Sequence, residues 1–327
     1  KGFLFDRDRD LVDSFPRYLG SSGEASPRFA DLDGDGAEEL VVALTDGTIH
    51  AYTHAGGELE GFPATLPYRH AMDPDNPGNV RGSCAYREDK TGCDATAGRV
   101  DPEVHQTIMM APAIGDIDGD GDLDMAVAND FLTPQKLLIN NGTGFFTDES
   151  AARIPQFNMS SSHCSFGDID DDGDLDLWFT RGGSTRFGSG QAQLWINDGN
   201  GFFSNETTQR LPQQNVSAPM DSIFGDLDGD LDLDMIEGHR DNNSKLYINQ
   251  GGVFIDSTSG NLPADSNTYS YDLGDLDGDG DLDVIGANSG IGSREAVFQN
   301  DGSGSFTNVT TTVLPNSSNP NIDDNDS

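Results

Sequence analysis

Asp116-Ile-Asp-Gly-Asp-Gly-Asp-Leu-Asp124, followed directly by the apolar run Met125-Ala-Val-Ala128, is the stretch of sequence that decides the fold. This nine-residue pattern occurs five times in the chain, with starts at Asp31, Asp116, Asp168, Asp226 and Asp275. Successive starts are separated by 85, 52, 58 and 49 residues, and an apolar run follows each copy. Self-similarity with a period of about 50 residues is typical of propeller proteins, in which each repeat forms one four-stranded blade.

The residues after each apolar run complete the predicted blade. A second apolar segment ends in Asn before a Gly-containing turn, as in Leu137-Leu-Ile-Asn140, Leu194-Trp-Ile-Asn197, Leu246-Tyr-Ile-Asn249 and Ala296-Val-Phe-Gln-Asn300. Asn-Gly and Asp-Gly turns between apolar runs predict β-hairpins. No segment sustains a helical apolar period over a full helix length. We therefore predict an all-β chain: a β-propeller of four-stranded blades, with the Asp-rich loop joining the first two strands of each blade.

The two ends of the chain and the 85-residue interval between the first two loops depart from the regular repeat. We predict that residues 1–327 form a single propeller, as a closed or an incomplete ring, and expect about seven blades in a whole ring. The first residues, Gly2-Phe-Leu-Phe-Asp6 to Pro16, resemble Gly47–Tyr52 to Pro63 and are predicted to form the outer half of a blade. Residues 316–327 are predicted to be a polar tail or the start of a further blade. The long first interval predicts an insertion loop at residues 64–105.

The nine-residue pattern has the chemistry of a calcium loop. Asp at positions 1, 3 and 5 places three carboxylates on one side of a tight turn, and Gly at position 6 permits the left-handed backbone that the turn requires. Position 7 offers a backbone carbonyl, and the acid at position 9 closes the shell. A flexible, all-oxygen ligand set suits Ca²⁺ better than Mg²⁺ or the softer metals.

We predict about five calcium ions, bound by Asp31, Asp33, Asp35, Glu39, Asp116, Asp118, Asp120, Asp124, Asp168, Asp170, Asp172, Asp176, Asp226, Asp228, Asp230, Asp234, Asp275, Asp277, Asp279 and Asp283. An EF-hand is excluded because its closing acid stands at position 12 of the loop and helices flank it. The alternative, acidic turns kept for solubility, explains the charge but not the fixed spacing. In the fourth loop Leu231 stands where Gly is expected, and this site is predicted to be distorted or the weakest.

The charge of the chain restricts its partners. Fifty-seven acidic and 18 basic side chains give a formal net charge of −39. Binding to nucleic acid is excluded because phosphate contacts need Lys and Arg, and an anionic membrane surface repels such a chain. No run of 18 apolar residues is present, so no transmembrane helix is predicted. We expect an extracellular or cell-surface location.

The three cysteines fit that location. Cys84 and Cys93 lie within the predicted insertion, and we predict that a disulfide between them staples it; two free thiols are the alternative. Cys164 precedes a metal loop on a predicted inner strand and is expected to be a buried structural thiol.

The chain resembles FG-GAP/VCBS repeat proteins, a family that includes the calcium-bearing blades of integrin α-subunit propellers. The resemblance rests on the Asp-rich loops, on Phe166-Gly167 and Phe224-Gly225 before two of them, and on Ala111-Pro112-Ala113 before another. It implies a propeller whose calcium ligands are the acidic residues named above. It does not specify a function, because members of the family serve adhesion, matrix and carbohydrate binding and sometimes form or accompany lyases and hydrolases.

Three functions remain open. We expect first an adhesion or recognition module that binds an extracellular glycan or a protein. Its candidate ligand loop contains Arg69, His70, Arg81, Tyr86 and Arg87; a stapled loop without a ligand is the alternative. The second hypothesis is a scaffold within a larger chain or assembly. The third is a polysaccharide lyase that uses His70, His105, Tyr68 or Tyr86 for proton abstraction, but we assign no catalytic residue and expect binding rather than catalysis. Trp178 and Trp195 are predicted to be core residues.

Overall fold

A computed structural model describes most of the repeats. The described residues are 27–44, 48–65, 93–94, 99–100, 112–129, 134–156, 159, 161–181, 191–213, 219–239, 242–265, 268–288 and 295–314. The chain divides into two compact units, Lys1–Met159 and Ser160–Ser327. Each unit is built from four-stranded antiparallel sheets, which we call blades 1 to 5 in chain order.

The described residues of the first unit form two blades and a small extra sheet. Blade 1 consists of β1 (Arg28–Ala30), β2 (Glu39–Ala43), β3 (Thr48–Tyr52) and β4 (Ala64–Thr65). The extra sheet pairs β5 (Cys93–Asp94) with β6 (Arg99–Val100). Blade 2 consists of β7 (Ala113–Gly115), β8 (Asp124–Val127), β9 (Lys136–Asn140) and β10 (Phe146–Asp148). Strand β4 pairs with β3, so the first two residues of the predicted insertion belong to blade 1.

In the second unit, the part of the chain that the structure describes forms three blades. Blade 3 consists of β11 (Cys164–Gly167), β12 (Asp176–Phe179), β13 (Gln193–Asn197) and β14 (Phe203–Asn205). Blade 4 consists of β15 (Pro219–Gly225), β16 (Asp234–His239), β17 (Lys245–Asn249) and β18 (Phe254–Asp256). Blade 5 consists of β19 (Thr268–Gly274), β20 (Asp283–Asn288), β21 (Ala296–Asn300) and β22 (Phe306–Asn308). The predicted all-β, four-stranded repeat is confirmed, and in each blade the Asp-rich loop joins the first two strands.

The apolar runs are short because they are buried strands. Every residue of β8, β12 and β13 is buried, which explains why these runs are continuously apolar instead of alternating. Within each unit these strands pack against the next blade. Trp178 of blade 3 shares a core cluster with Met235 and Tyr247 of blade 4, and Ile236 of blade 4 shares one with Phe298 of blade 5. Trp178 and Trp195 are each 1% exposed, and Cys164 is a buried thiol, so all three predictions of core positions are confirmed.

One-turn helices follow the fourth strand of blades 2 to 5 and were not predicted from the sequence. They are α1 (Ser150–Arg153), α2 (Thr207–Arg210), α3 (Thr258–Asn261) and α4 (Thr310–Val313). A hydroxyl at the first position of each helix accepts the amide hydrogen of a third-strand residue; for example, Leu194 N donates to Thr207 Oγ1 at 3.0 Å. Four residues are too few to show an apolar period, so no pattern predicted them. None of the helices in the described residues is long and apolar enough to span a lipid bilayer.

Candidate metal centres

The five Asp-rich loops, called loops 1 to 5 after their blades, share one backbone conformation. The Asp at position 1 accepts amide hydrogen bonds from further along its own loop; Asp31 Oδ1 accepts from Gly34 at 2.9 Å and Asp31 Oδ2 from Gly36 at 2.9 Å. The Asp at position 5 accepts from the amide at position 7, as Asp120 does from Asp122 at 3.0 Å. These local side-chain bonds curl the chain so that its carboxylates lie on the inside of the turn.

Two positions of each loop adopt positive φ. At position 6 the values are +87°, +92°, +93° and +99° for the four glycines and +77° for Leu231. At position 4 they are +73°, +74°, +83° and +84° for the four glycines and +62° for Asp171. The left-handed backbone at position 6 was predicted from the sequence, but that at position 4 was not, although Gly stands there in four of the five loops. Asp tolerates the left-handed region better than most residues, which explains Asp171.

Leu231 carries the strain that the sequence predicted. Its side chain is 83% exposed, so no packing compensates for its left-handed backbone. The glycines at position 6 of the other loops donate their amide hydrogens to Oδ2 of the position-1 Asp at 2.9–3.2 Å. Within the described residues, Leu231 makes no such bond to Asp226. That loop 4 binds calcium most weakly stays a prediction.

Replacing Leu231 with Gly is expected to stabilise the chain by about 1 kcal/mol, because it removes left-handed strain without removing a buried contact. Calcium affinity at loop 4 should tighten in parallel. Urea unfolding and calcium titration of Leu231→Gly measure the two effects. Gly280→Leu in loop 5 is the reciprocal control and should show the opposite changes. Equal affinity in wild type and Leu231→Gly would contradict the prediction.

The acid at position 9 has a structural role that the sequence did not predict. It is at most 1% exposed in all five loops. In loop 2, Asp124 Oδ2 accepts the amide hydrogen of Ile117 at 3.4 Å, and Asp124 Oδ1 accepts that of Asn140 at 2.8 Å. Asp176, Asp234 and Asp283 make the same pair of bonds. Position 9 therefore fastens the metal loop to the third strand, and each oxygen keeps a lone pair for a further ligand.

Burial makes three of the position-9 carboxylates difficult to ionise in the absence of metal. Burial raises the pKa of Asp124 and Asp176 to about 7 and that of Asp234 to about 6, although two amide hydrogen bonds act in the opposite direction. At position 3, burial first and the neighbouring aspartates second raise the pKa of Asp118, Asp170 and Asp228. Each loop thus concentrates carboxylates where a cation would favour their charged form.

The structure brings three predicted ligands together in each loop, with one oxygen from each residue within 4.8 Å of the others. The groups are Asp31, Asp33 and Glu39; Asp116, Asp118 and Asp124; Asp168, Asp170 and Asp172; Asp226, Asp228 and Asp230; Asp275, Asp277 and Asp279. The other predicted ligands, Asp35, Asp120, Asp176, Asp234 and Asp283, lie outside these groups.

Unpartnered oxygens provide a test of whether these residues suit a metal ion. Glu39 is fully buried, and its Oε1 has no hydrogen-bond partner. One buried carboxylate oxygen at position 3 is likewise without a partner in Asp118, Asp170 and Asp228. Leaving a buried carboxylate oxygen without a partner is costly, and a hard cation removes that cost. The donor set is all oxygen and fits Ca²⁺.

The Asn at the end of the third strand links metal loops of adjacent blades. Asn249 Nδ2 donates to Leu233 O in its own loop at 3.3 Å and to Ile169 O in the loop of the preceding blade at 2.8 Å. Asn300 and Asn140 make the same pair of bonds, to Leu282 O and Leu227 O and to Leu123 O and Leu32 O. The sequence showed the repeated Asn only as part of a turn.

Several predicted residues lie outside the described residues. They are Cys84 and the candidate ligand residues Arg69, His70, Arg81, Tyr86 and Arg87, together with Tyr68, His105 and residues 316–327. Only the backbone of Cys93 is described. The disulfide between Cys84 and Cys93 and the ligand role of the insertion therefore stay predictions.

Repeated four-stranded blades with an acidic loop between their first two strands define a β-propeller repeat protein. Residues 109–179, 226–286 and 275–323 match the model of the FG-GAP-like repeat. These matches cover more than half of the chain, which therefore belongs to the FG-GAP-like repeat family. The resemblance drawn from the sequence is confirmed.

Solved structures similar to this chain have low sequence identity to it. The V. cholerae biofilm matrix protein Bap1 is 16% identical, with 88% of this chain and 39% of that chain covered and a TM-score of 0.44. The Dos1 propeller is 10% identical, with 90% and 57% covered and a TM-score of 0.46. BamB from Moraxella catarrhalis is 14% identical, with 88% and 63% covered and a TM-score of 0.42. The chain thus spans less than two thirds of each of these proteins. No curated protein matches it.

Proposed function

We propose that this chain is an extracellular, calcium-stabilised propeller module that acts in adhesion or recognition and binds a carbohydrate or a protein. Calcium binding is supported by the repeated acidic loops, in which buried carboxylate oxygens lack hydrogen-bond partners. A bound ion supplies positive charge that neutralises the carboxylates and crosslinks the loop. The chain's own residues hold the loops in shape through the position-9 acid and the third-strand Asn.

The charge of the chain and its insertion bear on what it binds. A net charge of −39 keeps the module soluble and disfavours anionic partners, unless a local basic site offsets the charge. The insertion at residues 64–105 contains five basic and seven acidic side chains, and its Arg69, Arg81 and Arg87 are the candidates for such a site. We infer that this insertion binds the ligand, and that an acidic polysaccharide is the ligand class that its arginines suit best.

The triple variant Arg69→Ala, Arg81→Ala and Arg87→Ala is expected to lose at least tenfold in affinity for acidic polysaccharides, because removing several cation–anion pairs weakens binding. A glycan array probed with wild type and variant, with and without calcium, measures the effect. Melting curves of both proteins control for folding. Lys136→Ala and Lys245→Ala remove basic residues elsewhere and should bind like wild type. An unchanged array profile of the triple variant contradicts a ligand role for the insertion.

A further inference from the structure

The helices that follow blades 2 and 3 end in an arginine that contacts the metal loop of the same blade. Arg153 Nη1 lies 3.2 Å from Asp118 Oδ2, and Arg210 Nη2 lies 2.9 Å from Asp170 Oδ2. Both aspartates occupy position 3 of their loops. The arginine side chains are 14% and 18% exposed, so these ion pairs are largely shielded from water.

Each arginine is held in place by a second acid one helical turn earlier. Arg153 Nε donates to Glu149 Oε2 at 2.5 Å, and Arg210 Nε donates to Glu206 Oε2 at 2.6 Å. Arg210 Nη1 also donates to Gly252 O in blade 4 at 3.0 Å. The planar guanidinium therefore has a fixed orientation, with one edge on the helix and the other on the metal loop.

The two oxygens of the position-3 aspartates have different partners. Oδ2 of Asp118 and of Asp170 accepts a hydrogen bond from the arginine. Oδ1 of both residues is buried and has no hydrogen-bond partner. One oxygen is thus paired with a permanent cation, and the other remains to bind a metal ion.

Blades 4 and 5 lack both members of the Glu–Arg pair. Where blades 2 and 3 have Glu149 or Glu206, blade 4 has Ser257 and blade 5 has Val309; where they have the arginine, the residues are Asn261 and Val313. The position-3 Asp277 of loop 5 accepts a hydrogen bond from the neutral Gln299 instead. In blades 2 to 5 the glutamate and the arginine are therefore either both present or both absent. Loops 2 and 3 have the pair, whereas loops 4 and 5 do not. The corresponding residues of blade 1 are outside the described part of the chain.

We propose that Arg153 and Arg210 are cationic tethers that weaken calcium binding at loops 2 and 3 and keep these loops folded without calcium. This inference rests on the proposed calcium binding. The attraction between arginine and aspartate acts whether or not calcium is present, whereas repulsion between the guanidinium and a divalent ion acts only in the bound state. Loops 2 and 3 then fill at higher calcium concentrations than loop 5, whereas loop 4 is weakened separately by the left-handed backbone of Leu231. Loop 5, with Gly280 at position 6 and no arginine, is the tight reference site.

The proposal is tested by calcium titration of Arg153→Met and Arg210→Met in the full chain, with a competing chromophoric chelator. Each substitution is expected to tighten one site about tenfold. It should also lower the melting temperature in EDTA. Lys136→Met is the matched control: it removes one positive charge from blade 2, but Lys136 contacts Asp148 and not the metal loop. It should leave the calcium affinities unchanged.

A reciprocal variant tests the same proposal independently if the arginine variants misfold. Val309→Glu with Val313→Arg installs the pair in blade 5, where Val313 is 54% exposed. Loop 5 should then bind calcium about tenfold more weakly. Unchanged affinities in both sets of variants, or weaker binding in Arg153→Met, would overturn the tether while leaving calcium binding intact. A wild-type chain that binds no calcium would instead refute the calcium part of the proposed function.

Discussion

Removing calcium with EDTA is expected to lower the melting temperature of this chain by about 10–20 °C. A ligand that binds only the folded state stabilises it by about 2.7 kcal/mol per site at 100 times its dissociation constant. Several such sites together are comparable with the whole free energy of unfolding of a typical domain, about 5–15 kcal/mol. Circular dichroism melts in 10 mM CaCl₂, which is about 100-fold above a dissociation constant of about 0.1 mM for an extracellular calcium module, and in EDTA measure the effect.

The controls separate calcium from ionic strength and from damage by the chelator. Excess CaCl₂ added after EDTA should restore the original melting temperature, whereas MgCl₂ should restore less of it, because Mg²⁺ dehydrates reluctantly and demands a stricter geometry. Identical melting curves in CaCl₂ and EDTA would contradict the prediction. They would also leave the fixed spacing of the aspartates without a metal-based explanation.

The pH dependence of the metal-free chain provides a second readout of the same loops. The pKa values of Asp124, Asp176 and Asp234 are raised by burial to about 7, 7 and 6. A carboxyl with a raised folded-state pKa favours folding most at low pH, and that contribution is lost as the pH rises from about 4 to about 7. In EDTA the chain should therefore melt at a higher temperature at pH 5 than at pH 8. Calcium, which needs ionised carboxylates, should remove this difference.

The metal loops could be predicted from the sequence because their determinants are local. Asp31 Oδ2 bonds an amide only five residues away, and the glycines at positions 4 and 6 stand inside the same turn. A nine-residue pattern contains all of this information. The same locality made the strain at Leu231 predictable, and its positive φ confirms that the residue is forced into the turn conformation.

The links between loops could not be predicted, because they depend on residues far apart in the chain. Asn140 Nδ2 bonds Leu32 O across 108 residues, and Asn249 Nδ2 bonds Ile169 O across 80 residues. Both bonds require the register of the third strand and the packing of the next blade. The Arg210–Asp170 ion pair could not be predicted for the same reason. It forms only because the one-turn helix after blade 3 places Arg210 next to the metal loop of its own blade. The repeated Asn and the two Glu–Arg pairs are visible in the sequence, but the sequence does not show which groups they contact.

Substitution of Ile236 by Ala is expected to destabilise the chain by about 2–5 kcal/mol, whereas Ile285→Ala should cost less than about 1.5 kcal/mol. Both residues occupy the second position after the last acid of a metal loop. Ile236 is fully buried in the cluster that contains Val284 and Phe298 of blade 5, whereas Ile285 is 41% exposed. The same contrast occurs at position 2 of the loops, where Leu227 is 1% and Leu276 48% exposed.

This pair of substitutions is internally matched, because the same three carbon atoms are removed from the same strand position of two successive blades. Urea unfolding at saturating calcium gives the two free energies, and Leu227→Ala with Leu276→Ala repeats the comparison at a second position. A cavity at Ile236 removes contacts with the next blade, while truncation of Ile285 removes a side chain that already contacts water. Equal losses at the two isoleucines would contradict this contrast. They would mean that Ile285 is covered in solution by another apolar surface. A large loss at Ile236 alone would show that packing against the following blade stabilises blade 4, because only Ile236 is buried in the cluster that the two blades share.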